Sequence, residues 1–174
     1  MYFNNLGTEF WDPFWMAVSG VAVWIPLYAL LVFFIVKKLN GKQMWWALLA
    51  VALNVVFTDQ GSVQLFKEQF MRLRPCHTED LIEHIRLVKG SCGGKYGFIS
   101  SHASNTFGLA VLVGLLLKSH FKYLMPLLLI WAALVSYSRV YLGVHYPGDI
   151  LGGAIFGSLI GFLVFKLYQV ISKG

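Results

Sequence analysis

Ser138-Arg-Val-Tyr-Leu-Gly-Val-His-Tyr-Pro-Gly-Asp149 joins two apolar runs. A short connection between such runs has no need of a cation, an imidazole and a carboxylate at fixed offsets. Arg139 offers a planar fork of donors suited to an oxyanion. His145 is a nucleophile or base whose charge is easily moved near neutral pH. Asp149 follows it by four residues, one helical turn, the offset at which a carboxylate can hold an imidazole in one orientation. An anion clamp, a nucleophile and an orienting group this close together point to chemistry on a phosphate.

The 174-residue chain around this stretch is 57% hydrophobic and 13% charged, whereas ordinary soluble domains carry about 25% charged residues. Its mean hydropathy is +0.66. Five apolar runs of about 20 residues each can cross a hydrocarbon core of about 30 Å. The expected fold is all-α: a polytopic membrane helix bundle with five transmembrane helices, forming a single domain over residues 1–174. The net charge of +6 comes with no aromatic-basic motif or charge run. Nucleic acid is therefore not an expected partner, and membrane topology and a bound anion account for the charge.

The spans are expected at about 14–36, 44–66, 101–117, 123–137 and 149–170. Residues 1–13 lack the basic start of a cleaved signal peptide. Their aromatic residues (Tyr2, Phe3, Phe10, Trp11), with Phe14 and Trp15, read as an interfacial segment at the membrane surface, and Asp12-Pro13 as a helix cap and first turn. The second span turns polar toward its end, at Asn54, Asp59, Gln60 and Gln64. Asn54 and Gln60 read as interhelical hydrogen-bonding groups, and Asp59 as either a structural partner or a group behind the site. Gln60, Lys67 and Arg74 are spaced by seven and would share one face if the helix continued. In the last span Gly153, Gly157 and Gly161 form a row that lets another helix approach closely.

Alternating spans put two sets of cations on opposite sides. Lys37, Lys38, Lys42, Lys118, Lys122, Lys166 and Lys173 lie in short flanks, where the positive-inside rule applies. The other set is equal in number, but Lys67, Arg74 and Arg139 in it are candidates for binding an anion. The first set is therefore placed in the cytoplasm, and the loops at 67–97 and 138–148 on the extracytoplasmic face. Cys76 and Cys92 then share one loop in an oxidising compartment and are expected to form a disulfide. A metal site there is the weaker reading, for want of a second close ligand pair.

Three clusters fall on the same side. Lys67-x6-Arg74-Pro75 supplies two cations. Ser100-Ser101-His102 opens a span, where free N–H groups and the positive helix end favour phosphate. Arg139-x5-His145-x3-Asp149 completes the set. This order resembles the type 2 phosphatidic acid phosphatases, membrane relatives of the vanadium haloperoxidases, whose pattern is K-x6-R-P, P-S-G-H and S-R-x5-H-x3-D. Ile99 and Ser101 stand where that family has Pro and Gly, and Ser101 adds bulk near the phosphate. Members commonly have six spans. The resemblance implies that His145 attacks phosphorus, that Asp149 holds its other nitrogen and that His102 is the general acid. It implies that Lys67, Arg74, Arg139, Ser100 and Ser101 cradle the phosphoryl oxygens. Three fixed cations would do the work a metal does elsewhere, so no metal and no cofactor is expected.

The implied substrate is a lipid phosphate at the outer surface of the cytoplasmic membrane, with undecaprenyl diphosphate first. Phosphatidylglycerol phosphate, phosphatidic acid and the 1-phosphate of lipid A follow. Arg72, Arg86, Lys89 and Lys95 read as solvated loop charges rather than as a second phosphate site. A lipid phosphotransferase would use the same residues. A non-catalytic lipid-phosphate binder would not need the imidazoles, and a soluble vanadate-dependent oxidase would not need the spans.

Overall fold

The protein is described from a computed structural model over residues 2–88 and 90–172; Lys89 and Lys173 lie outside the described residues. The described residues are helical and loop, with one isolated antiparallel bridge between Leu73 and Tyr96. The helices are α1 (Tyr2–Asn5), α2 (Asp12–Ser19), α3 (Ile25–Lys38), α4 (Gly41–Gly61), α5 (Glu68–Phe70), α6 (Glu79–Ile82), α7 (Ser101–Leu116), α8 (Leu124–Tyr141) and α9 (Pro147–Ile171).

Three stretches are long and apolar enough to cross a membrane: Gly41–Phe70, Leu124–Tyr141 and Pro147–Ile171. The expected first span is not one straight helix. Asp12–Ser19 and Ala22–Lys38 meet at 69° and together make a fourth, broken span. Gly20 sits at the break in extended backbone. Asp12 is a helical residue rather than the cap, which is Trp11. The expected third span, α7, has sixteen residues, a length of about 24 Å at 1.5 Å per residue. Ten of them are buried, so α7 packs against protein more than lipid and need not match the bilayer thickness.

α7 and α9 run side by side in parallel. A Cβ placed on Gly153 would come 2.6 Å from the Ser100 carbonyl oxygen. One turn further along, Gly157 faces the Ser104 carbonyl, and Gly161 faces that of Gly108. The two rows of small residues advance together in steps of four, which requires parallel helices with their N-termini at the same end. Gly108 also receives α4, since a Cβ there would meet Thr58 Cγ2 at 2.8 Å. Leu112, Val113, Leu128, Ala132, Ile35 and Ala47 close the apolar core around α7.

At the same end, the N-terminal segment is tied down. Asn4, 1% exposed, donates to the carbonyls of Arg86 (2.9 Å) and Tyr141 (2.7 Å) and accepts from the Arg86 N–H at 2.8 Å. Arg86 pairs with both oxygens of Asp12, at 2.6 and 2.7 Å. Gly143 closes the turn after α8 at φ 76°, and a Cβ there would come 2.9 Å from the Arg86 carbonyl oxygen. Cys76 and Cys92 form a disulfide. Closing a loop of about 16 residues stabilises it by about 3 kcal/mol in the chain-entropy picture.

Gly157→Val should drive side-chain atoms into the α7 backbone, a change costing at least 1–3 kcal/mol, and abolish a monodisperse folded species in detergent. Gly148→Ala, with nothing nearer than 4.0 Å to its Cβ, should elute as the parent does on size exclusion.

Candidate active site

Asp149 is the third residue of α9, and its Oδ2 accepts the Tyr146 N–H at 2.9 Å, satisfying a free donor at the helix start. The same oxygen lies 3.1 Å from His145 Nδ1. His145 itself precedes the helix, so the four-residue offset works through the cap rather than along a helical face. Both groups are buried, Asp149 at 0% and His145 at 3% exposed. The Ser100 N–H donates to the Asp149 carbonyl at 3.0 Å, pinning the start of α7, and with it His102, against the start of α9.

Lys67 reaches the same place by an unexpected route. Residues Ser62–Lys67 form a π-helical turn between α4 and α5. On an α-helix, positions five apart diverge by about 140°, but a π turn closes over five residues. Ser62 and Lys67 therefore both reach Ser101 Oγ, each at 2.6 Å. Ser62 passes its own proton to the Asp59 carbonyl at 2.7 Å, so Ser101 accepts from Lys67 and donates to Ser62. The helix then ends at Met71, in left-handed backbone at φ 45°. Gln60, Lys67 and Arg74 consequently share no helical face. Arg74 returns on an extended segment held by the Lys95 carbonyl, and its side chain donates to the carbonyls of Tyr96 (3.2 Å) and Cys92 (3.1 Å).

Arg139 lies in the last turn of α8 and donates to Ser19 Oγ, while its buried Nε has no partner among the described residues. His102 lies within electrostatic range of Arg139, His145, Lys67 and Arg74. Lys67, in turn, is within range of Asp59 and Asp149. All eight residues singled out from sequence, His102, His145, Asp149, Lys67, Arg74, Arg139, Ser100 and Ser101, thus gather at one end of the bundle. An apolar cavity of about 490 Å³ opens from Ser101 and His102. It follows α7 through Asn105 and Leu109 to Val113, about 18 Å at the helical rise.

A family model described as PAP2 superfamily matches residues 43–173. The chain belongs to the PAP2 superfamily. It is 37% identical to a lipid A 4'-phosphatase of Bacteroides thetaiotaomicron over 95% of this chain and 73% of that protein. It is 36% identical to an undecaprenyl-diphosphatase of Sulfolobus acidocaldarius over 81% of this chain and 61% of that protein. The crystal structure of a PAP2-type phosphatidylglycerolphosphate phosphatase from Bacillus subtilis shares the fold, with a TM-score of 0.70 over 98% of this chain and 82% of that one, at 20% identity. This PAP2 protein is a membrane enzyme, a hydrolase acting on phosphoric ester bonds.

Several positions depart from what the sequence alone led one to expect. Asn54 is fully buried, yet neither amide atom has a hydrogen-bond partner among the described residues. Gln60 bonds within its own helix rather than across helices. Asp59 meets both of its expected readings, accepting from Asn105 Nδ2 at 3.2 Å while lining the cavity within electrostatic range of Lys67. Ser62 and Arg72 were missed. A lone serine in an apolar span carries no local signal. Arg72 carried none either: only the fold shows that the bridge of Leu73 to Tyr96 makes the segment extended, so that alternation puts Arg72 and Arg74 on one face.

Burial pushes His145 down to about 4, more than its bond to Asp149 holds it up, and Arg74 and Arg139 add to the fall. Unfolded histidine titrates near 6.5 and takes up its proton first as pH drops. Stability should therefore fall between about pH 6.5 and 4, while His145 stays a free base in the folded enzyme. In ¹⁵N-histidine spectra in detergent, the imidazole lost in His145→Asn should read as neutral at pH 5.5.

Proposed function

We propose that this PAP2 enzyme removes phosphate from lipid A, or from a closely similar acylated sugar phosphate, at the periplasmic face of the cytoplasmic membrane. The observation that carries the reading is the convergence of two imidazoles and three cations beside the end of a long apolar cavity that His102 itself lines. The cations and two helix N-termini suit a phosphoryl group, and the cavity suits a hydrocarbon chain. Sequence alone put undecaprenyl diphosphate first and the 1-phosphate of lipid A among the alternatives; the choice of lipid A, and of its 4'-phosphate, comes from the Bacteroides relative. Undecaprenyl diphosphate is the second reading, favoured by the Sulfolobus relative. The outward-facing site rests on the charge distribution of the short flanks.

In this mechanism His145 Nε2 attacks phosphorus, while its Nδ1–H donates to Asp149 Oδ2. The bond to the lipid oxygen breaks as His102 delivers a proton to that oxygen. A water, losing a proton to His102, then attacks phosphorus and breaks the P–N bond, releasing phosphate and restoring both imidazoles. Lys67, Arg74 and the unpartnered Nε of Arg139 bind the phosphoryl oxygens. With three fixed cations on the oxygens, the step proceeds without a metal.

Phosphate release should be measured in detergent with EDTA, from lipid A, undecaprenyl diphosphate, phosphatidylglycerol phosphate and phosphatidic acid. Lipid A should be turned over fastest and EDTA should change nothing. His102→Ala should lose on the order of 10²–10⁴-fold, and His145→Ala should lose all turnover. Full activity in either variant removes its assigned role. Preference for another lipid removes the substrate assignment alone, and label moving to a second lipid instead of water makes the enzyme a transferase.

A further inference from the structure

Arg72 is one of the unspecified positions within Lys67-x6-Arg74, and its side chain is 43% exposed, yet its Nη2 stands 2.8 Å from Oδ1 of the wholly buried Asp149. No N–H of Arg72 points along that line, so the contact is an ion pair without an aligned hydrogen bond. The guanidinium is clamped from elsewhere. Its Cζ sits 4.6 Å over the Tyr146 ring and 5.3 Å from the centre of Phe98, geometry that favours a planar cation. Its backbone is fixed as well, the carbonyl accepting from the Gly97 N–H at 2.9 Å.

We infer that Arg72 is a positioning residue for the reaction: it locks the Asp149 carboxylate so that Oδ2 faces His145 and Oδ1 faces the guanidinium. A carboxylate with no solvent exposure is costly to keep charged without a partner. His145, neutral in the resting enzyme, does not supply one. Arg74 and Lys67 are within range but are turned to other acceptors: Arg74 to the Tyr96 and Cys92 carbonyls, Lys67 to Ser101. Among the described residues, Arg72 alone puts a positive charge in contact with Oδ1. With it in place the carboxylate cannot swing away from the imidazole, and part of its charge is offset, so Asp149 orients His145 without drawing a proton onto Nε2.

The groups facing the His145–Asp149 pair are Arg72, Arg74, Arg139, His102 and Lys67. Of these only Arg72 is removed in the test. This inference rests on the proposed roles of His145 and Asp149, and the experiment separates the two. In Arg72→Gln, kcat should fall on the order of 10–100-fold, the size expected when a reacting group is misplaced, with KM nearly unchanged. An uncompensated Asp149 favours imidazolium, so the acid limb of kcat/KM should move up by roughly one pH unit. The His145 ¹⁵N titration should move the same way, and that readout needs no turnover. Guanidinium ion added to Arg72→Ala should restore part of kcat, and Arg72→Lys, which keeps charge without the stacked plane, should lie between.

A raised KM at constant kcat would make Arg72 a ligand contact and overturn the inference. So would a lower Tm with an unmoved His145 titration, which is the mark of a purely structural role. If wild-type enzyme releases no phosphate from any lipid tested, the proposed function fails, while the ¹⁵N titration still decides whether Arg72 governs the pair.

Discussion

The rest of the molecule depends on the seam between α7 and α9, where Gly153, Gly157 and Gly161 lie against the backbone at Ser100, Ser104 and Gly108. Lipid offers no hydrophobic reward for pairing two apolar helices, so close backbone contact must do the work. Parallel contact forces both N-termini to one end. One helix brings Ser100, Ser101 and His102, and the other brings Asp149 with His145 just ahead of it. The Ser100–Asp149 backbone bond then fixes their relative height. The same packing that holds the bundle together thus sets the separation of the two imidazoles.

Around this fixed pair, the cations arrive by three different backbone devices. Lys67 comes through a π turn that brings it onto the face of Ser62. Arg74 comes through a left-handed residue and a short extended segment pinned beside the disulfide. Arg139 comes at the C-terminal turn of α8, where the helix dipole favours a cation. Irregular backbone is expensive at membrane depth and is tolerated where protein shields it; here it is confined to the end of the bundle that carries the charges.

The candidate site residues stood out in the sequence because chemistry-bearing side chains are conspicuous in an apolar chain, and the fold brings His102, His145 and the three cations to one end of the bundle. The membrane class was legible for the same reason. What hid was anything decided by backbone departures from ideal periodicity. The seven-residue spacing of Gln60, Lys67 and Arg74 presumed one continuous helix, and the π turn and Met71 break it. The break at Gly20 is masked by an apolar run that continues across it. Arg72 was read as a solvated charge because exposure is the usual fate of a loop arginine; only the fold shows that its tip lies on a buried carboxylate.

The 69° elbow between α2 and Ala22–Lys38 sits beside a cavity whose walls are unequally held. One wall is α7, immobilised by its glycine contacts with α9. The other walls are α4 and α8, through Val51, Val55, Trp131 and Val135, and α3, which follows the bend and buries only Leu31 and Ile35. Of these walls α3 is the least tied down, so a change in cavity width falls on it first. Selection for a new lipid can act there without disturbing the distance between the imidazoles, so chain preference and catalytic geometry are free to evolve separately.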